Sequence, residues 1–178
     1  MLTETAFMKV LVNGFPKSGT HAAAKAVELL GVPCIHAHWP HPKLPEHTHH
    51  VFIKRDPRNV LLSWIRASGN PLTEGMTIRY IRQFITGSLV DDVSAFVGWL
   101  HQDTFVMRFE DLIANDAEMR RLAKFLEVPY LDDAFPNLPG HTTTWTGKYS
   151  DYRAVWTPQI ESAWNAEGGH ETLEAWGY

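Results

Sequence analysis

Short apolar runs alternate with helix-forming stretches along most of the chain. Lys9 to Asn13 (K-V-L-V-N) is apolar and β-branched and ends in Gly14, the pattern of a parallel strand buried on both faces. Thr20 to Leu30 is rich in strong helix formers and stops at Gly31 with Pro33 beyond, the usual punctuation of a helix C-terminus. Val51 to Lys54 reads as a second strand. Asp56 is then a candidate N-cap ahead of Pro57, a residue suited to a first helical turn, and Asn59 to Ala67 continues as an amphipathic helix. From Met76 to Leu100 the pattern is helical with a break near Gly87 and Ser88; Thr104 to Arg108 is a further strand and Asp116 to Leu126 a further helix. Residues 34–50 hold six of the ten histidines, with Pro40, Pro42 and Pro45, and predict loop with room for one short strand. After Pro129 the chain is aromatic and turn-rich, with short helices predicted at Pro158 to Trp164 and Glu171 to Trp176. Strands alternating with helices predict an α/β fold, three layers deep (α/β/α), around a mainly parallel sheet.

Composition narrows the picture. A chain of 178 residues is close to one ordinary domain, so residues 1–178 are expected to form a single domain. With 44% hydrophobic and 20% charged residues, global disorder is excluded. A formal charge of -4 asks for neither a nucleic-acid backbone nor an anionic membrane, so any anion site must be local. Cys34 is the only cysteine, which precludes an intrachain disulfide and suits a reducing compartment. Met1 to Val12 carries Glu4 and lacks a basic region followed by an apolar one, and no apolar run reaches the ~20 residues of a membrane helix. A cytoplasmic protein is the expectation.

Candidate chemistry begins at Gly14-Phe15-Pro16-Lys17-Ser18-Gly19-Thr20, between the first strand and the first helix. There the free N–H groups and the positive helix end favour a phosphate or sulfate. Gly14 and Gly19 permit close backbone approach, Lys17 adds a point charge, and Ser18 and Thr20 add hydroxyls. A standard P-loop places lysine and a magnesium-holding hydroxyl directly after its second glycine. Here those positions hold Thr20 and His21, and the lysine sits mid-loop, which disfavours an ATP-hydrolysing reading while keeping a P-loop-like fold.

The sequence F-P-K-S-G-T resembles the 5′-phosphosulfate loop of the cytosolic-type sulfotransferases, which use 3′-phosphoadenosine 5′-phosphosulfate (PAPS) and release adenosine 3′,5′-bisphosphate (PAP). A second segment, Ile53-Lys54-Arg55-Asp56-Pro57-Arg58-Asn59-Val60-Leu61-Leu62-Ser63-Trp64, resembles that family's 3′-phosphate segment, with Arg55 and Ser63 at the phosphate-holding positions. His38-Trp39-Pro40 followed by Leu44-Pro45 resembles the family's T-H-L-P segment, whose histidine is the general base. Histidine suits that task because its ordinary pKa near 6.5 leaves it largely neutral at pH 7. Met107-Arg108-Phe109-Glu110-Asp111-Leu112 resembles the R-Y-E-D-L segment and is expected to position the fold. Thr146-Gly147-Lys148-Tyr149-Ser150-Asp151-Tyr152-Arg153 partly resembles the closing loop over the nucleotide. It departs where Trp145 and Thr146 replace two basic residues, leaving Lys148 or Arg153 as substitutes, and Ala22 stands where the family commonly stacks a tryptophan on adenine.

The resemblance implies a PAPS-dependent sulfotransferase. Catalytic residues are then His38 and Lys17, and the cofactor is held by Pro16, Lys17, Ser18, Gly19, Thr20, His21, Arg55, Ser63, Gly147 and Lys148, with no metal required. The acceptor is a small molecule or carbohydrate, and no oligomeric state is specified. His21 is an alternative base or a phosphate donor. Trp39, Trp64, Phe84 and Trp99 are candidates for an acceptor pocket, although aromatics at such spacings more often belong to a core. The rivals are a PAP- or nucleotide-binding module without turnover, a small P-loop kinase using Mg-ATP, and a zinc site on His36, His38, His41, His47, His49 and His50.

Overall fold

Four parallel strands, β1 (Lys9–Gly14), β2 (Cys34–Ala37), β3 (Thr48–Lys54) and β4 (Phe105–Arg108), form one sheet in the order β2-β1-β3-β4. The computed structural model describes residues 9–40, 48–87, 93–101, 103–138 and 151–178. Helices α1 (Thr20–Leu29), α2 (Pro57–Ala67), α3 (Glu74–Ile85), α4 (Phe109–Ala114), α5 (Ala117–Phe125), α6 (Pro158–Ala166) and α7 (Gly169–Ala175) surround it, with 3₁₀ turns at Val93–His101 and Tyr152–Ala154.

The two-residue period of the strands divides the core. Val10, Val12, Val51, Ile53 and Met107 face one side, packed on Ala23 and Val27 of α1, Leu112 of α4 and Leu122 of α5. Leu11 and Phe52 face the other, against Leu61 and Ile65 of α2, Ile81 and Phe84 of α3, Trp164 of α6 and Trp176. The result is the expected three-layer α/β/α arrangement. Burial of each such side chain contributes roughly 1.5–3 kcal/mol, so both faces of every central strand must be apolar.

Asp56 caps α2 by accepting from the Arg58 N–H at 2.9 Å, with Pro57 in the first turn. Where one interrupted helix was expected over 76–100, α3 ends at Ile85 before Gly87, whose φ is 74°, and the chain resumes as a 3₁₀ turn at Val93. The strand expected from Val51 starts earlier, because Thr48 and His49 pair with Lys9 and Val10 through backbone groups that do not depend on side-chain polarity. The six residues of α4 are too few for a periodic signal to reveal them.

Topology places the site. From β1 the chain passes through α1 on one face to β2; β3 lies on the other side of β1 and is followed by α2 on the opposite face. The carboxyl ends of β1 and β3 therefore flank a switch point, the crevice where open parallel sheets bind ligands. None of the described helices is long and apolar enough to cross a membrane.

Candidate active site

A cavity of about 540 Å³ opens at that switch point. Pro16, Lys17, Gly19, Thr20 and His21 of the loop and first turn, His38 after β2, Arg55 after β3 and Ser63 on α2 all line it. Residues far apart in sequence thus meet around one space. Gly147 and Lys148 lie outside the described residues.

The loop is anchored from below by Phe15. Its ring is buried edge-on against Phe96 at 5.1 Å and Phe84 at 5.8 Å. Above this anchor Lys17 adopts φ 72° and Gly19 φ 106°, the left-handed region in which a residue other than glycine costs of order 1–3 kcal/mol. Arg55 Nη1 donates to the Lys17 carbonyl at 3.3 Å and so supports the strained residue. A Cβ on Gly14 would stand 2.6 Å from the Ile53 carbonyl oxygen, and one on Gly19 would stand 2.3 Å from the Phe109 ring. Gly19→Ala is accordingly expected to lower the unfolding free energy by about 2 kcal/mol or more. An unchanged urea midpoint would contradict this crowding.

Thr20, His21 and Ala22 open α1, so their N–H groups have no intrahelical acceptor, and no side chain caps them. These donors face a cavity that also holds Lys17, whose ammonium lies 5.8 Å over the Trp64 ring. Ser18, also expected at the cofactor, is 0% exposed. Its amide donates to the Phe15 carbonyl at 2.9 Å and its buried hydroxyl lies beneath Gly14, so Ser18 shapes the turn rather than lining the cavity.

Arg55 leaves β3 with its guanidinium 4.7 Å over the Phe109 ring. The neighbouring Asp56 carboxylate is engaged by Arg58, through Nε at 3.0 Å and Nη2 at 2.7 Å. Arg66 lines the cavity one helical turn beyond Ser63. It was not among the expected residues, yet the Ser63 to Arg66 spacing of i to i+3 carries the signal, since such residues share a helix face. Phe109, Ala22 and Ala67 complete the wall.

The Gly14 carbonyl selects one tautomer of His38. Nδ1 lies 2.8 Å from the Gly14 carbonyl oxygen and 3.5 Å from Thr20 Oγ1. A carbonyl only accepts, so Nδ1 carries the proton and Nε2 keeps a lone pair. His21 packs on His36 with ring centroids 4.6 Å apart. Burial, followed by the nearby His36, His38 and Lys17, pushes His21 below the ordinary imidazole range.

Other candidates lie elsewhere. His49 packs edge-on against Phe125, and His50 is buried near Trp99, both on β3 well before its carboxyl end. His41 and His47 are outside the described residues, among which no group of three or more His, Cys, Asp or Glu could hold a metal ion. Trp99 and Phe84 are core residues, 0% and 2% exposed, and are corrected accordingly as acceptor-pocket candidates. Trp39 is 40% exposed next to His38. Arg153 pairs with Asp151 at 2.7 Å and lines a separate concavity with Asp56, Arg58, Arg108 and Tyr178, whose lining includes neither Arg55 nor Ser63. Glu110 accepts from the Asp56 N–H at 3.1 Å and the Tyr178 hydroxyl at 2.9 Å, tying the N-cap of α2 to Tyr178. This is the positioning role expected of that segment.

The family described as Sulfotransferase domain matches residues 28–148. A solved structure, mouse sulfotransferase SULT7A1 complexed with PAP, superimposes with a TM-score of 0.71 at 14% identity, covering 94% of this chain and 85% of that one. At that identity the likeness concerns the fold. No curated protein sequence matches the chain.

Proposed function

The chain belongs to the sulfotransferase domain family, and on that footing we propose that it transfers the sulfuryl group of PAPS to an acceptor hydroxyl or amine, with His38 as general base and Lys17 stabilising the leaving phosphate. One observation carries the reading: two sets of anion donors and a base with a free nitrogen line the same cavity. The uncapped amides of α1 with Lys17 suit a 5′-phosphosulfate, and Arg55, Ser63 and Arg66 suit a 3′-phosphate. The glycines at positions 14 and 19, where a Cβ would collide with Ile53 and with the Phe109 ring, let the loop pack tightly against β3 and α4 beside the cavity.

When bound, PAPS supplies the activated sulfur and a phosphate leaving group. The chain's residues do the rest. His38 Nε2 takes the acceptor proton as the acceptor atom forms its bond to sulfur and the bond from sulfur to the bridging phosphate oxygen breaks. Lys17 and the α1 amides hold the negative charge that grows on that oxygen, a fixed electrostatic contribution that requires no reorganisation. Arg66 takes over the charge that the closing loop lacks where Trp145 and Thr146 replace basic residues. A small molecule or carbohydrate is the acceptor.

Calorimetric titration with PAP, AMP and Mg-ATP tests this reading. PAP should bind tightly and AMP far more weakly; preference for Mg-ATP would favour a kinase, and PAP binding without turnover on any acceptor a binding module. Arg55→Ala should weaken PAP by about 10- to 100-fold, the loss of a charge-assisted contact of about 1.5–3 kcal/mol. AMP should be little affected. Undiminished discrimination between the two would send the 3′-phosphate elsewhere.

A further inference from the structure

Asn13 is a polar side chain in an apolar place. It ends the pairing of β1 with β2, opposite Ala37, and is 0% exposed. A buried carboxamide is costly unless its donors and acceptor are satisfied. Both of its functional atoms bond to the backbone of one residue, Trp39, beyond the end of β2: Nδ2 donates to the Trp39 carbonyl at 2.9 Å, and Oδ1 accepts from the Trp39 N–H at 2.9 Å. The same carbonyl also accepts from Trp99 Nε1 at 2.9 Å. Trp99 is itself immobilised, 0% exposed and stacked on Phe52 with the rings 4° from parallel.

Side chains thus replace the strand ladder where the ladder has ended. The residue so clamped directly follows His38, and the residue after Asn13 supplies the carbonyl that receives the His38 Nδ1 proton. Adjacent residues of β1 therefore grip adjacent residues of the base-bearing segment, Asn13 through the Trp39 backbone and Gly14 through the imidazole. Without the first grip, His38 and Trp39, both exposed, would keep only the imidazole's contacts with Gly14 and Thr20 and the Trp99 bond to the Trp39 carbonyl among the described residues.

We propose that Asn13 and Trp99 are positioning residues that set the tautomer and orientation of His38 by clamping the Trp39 peptide. The role assigned to His38 rests on the sulfotransferase reading above; the clamp rests on the geometry alone. Loss of the clamp frees the ring to populate the tautomer with its proton on Nε2, which cannot accept a proton from an acceptor group.

The test uses the full chain labelled with ¹⁵N. Long-range ¹H–¹⁵N spectra report which imidazole nitrogen is protonated, and the His38 signals are assigned by their absence in His38→Asn. The unsubstituted protein should show His38 protonated on Nδ1. Asn13→Leu, close in volume, removes two bonds of the clamp. Trp99→Phe keeps a stacking ring and removes one, so it remains informative should the first variant fail to fold. Both should show mixed tautomers, more so in Asn13→Leu, while PAP affinity measured by calorimetry stays within about threefold. Turnover on any acceptor that supports it should fall up to about 100-fold at little change in KM, the cost of displacing a reacting group by about 1 Å. A His38 spectrum unchanged in the folded variants overturns the proposal. Absence of PAP binding by the unsubstituted protein overturns the donor reading instead, and the His38 spectra still decide the clamp.

Discussion

Replacing His38 by Ala is expected to reduce sulfuryl transfer by about 10²- to 10⁴-fold, the usual contribution of a positioned general base, equivalent to about 3–5 kcal/mol of barrier. PAP affinity should hardly change. The side chain is exposed at the cavity edge and its bonds among the described residues are the 2.8 Å one to the Gly14 carbonyl and the 3.5 Å one to Thr20 Oγ1, so little stability depends on it. His38→Asn is the sharper control, because its amide can still donate toward that carbonyl but offers no basic atom. Initial rates and calorimetry together decide the matter. If Asn restores what Ala removes, His38 orients the loop and is not the base; if PAP affinity collapses in step with the rate, its role is structural.

Lys17→Ala should lower turnover by about 10²- to 10³-fold, the range seen when one preorganised donor to a developing oxyanion is removed. The substitution isolates the charge. Lys17 already holds φ 72° with a Cβ in place, so alanine adds no new backbone strain and leaves the Lys17 carbonyl available to Arg55. PAP binding should weaken by only about tenfold, because the uncapped amides of α1 still meet the phosphate. The rate loss must therefore exceed the affinity loss. Equal losses would mean that Lys17 binds ground and transition states alike, which lowers KM without accelerating the chemical step. Near-normal turnover would remove Lys17 from the chemistry.

Much of this was legible because the relevant physics is local. The apolar run ending in Gly14, the helix formers after Gly19 and the Asp56-Pro57 cap each act within a few residues, and they appear in the structure as β1, α1 and the capped start of α2. The placement of Ser18 was not legible, for the converse reason. Its residue type suits a donor, but the direction of its hydroxyl follows from left-handed backbone on either side, at Lys17 and Gly19, which composition does not reveal. The histidines of residues 34–50 likewise look like one cluster in the sequence, whereas the strands carry His36 and His38 toward the site and leave His49 and His50 packed in the sheet away from it.

The chain's own order of residues was enough to specify an alternating α/β layer fold with candidate anion-binding turns after two of its strands, because hydrophobic period, capping and glycine placement act at short range. Only the tertiary structure decided that these turns share one cavity, that Arg66 faces it, and that Asn13 and Trp99 reach the backbone beside His38. Those contacts join residues 26 and 60 positions apart through the sheet order β2-β1-β3-β4. Pairing register and crossover set such distances, and neither is a property of any single stretch of chain.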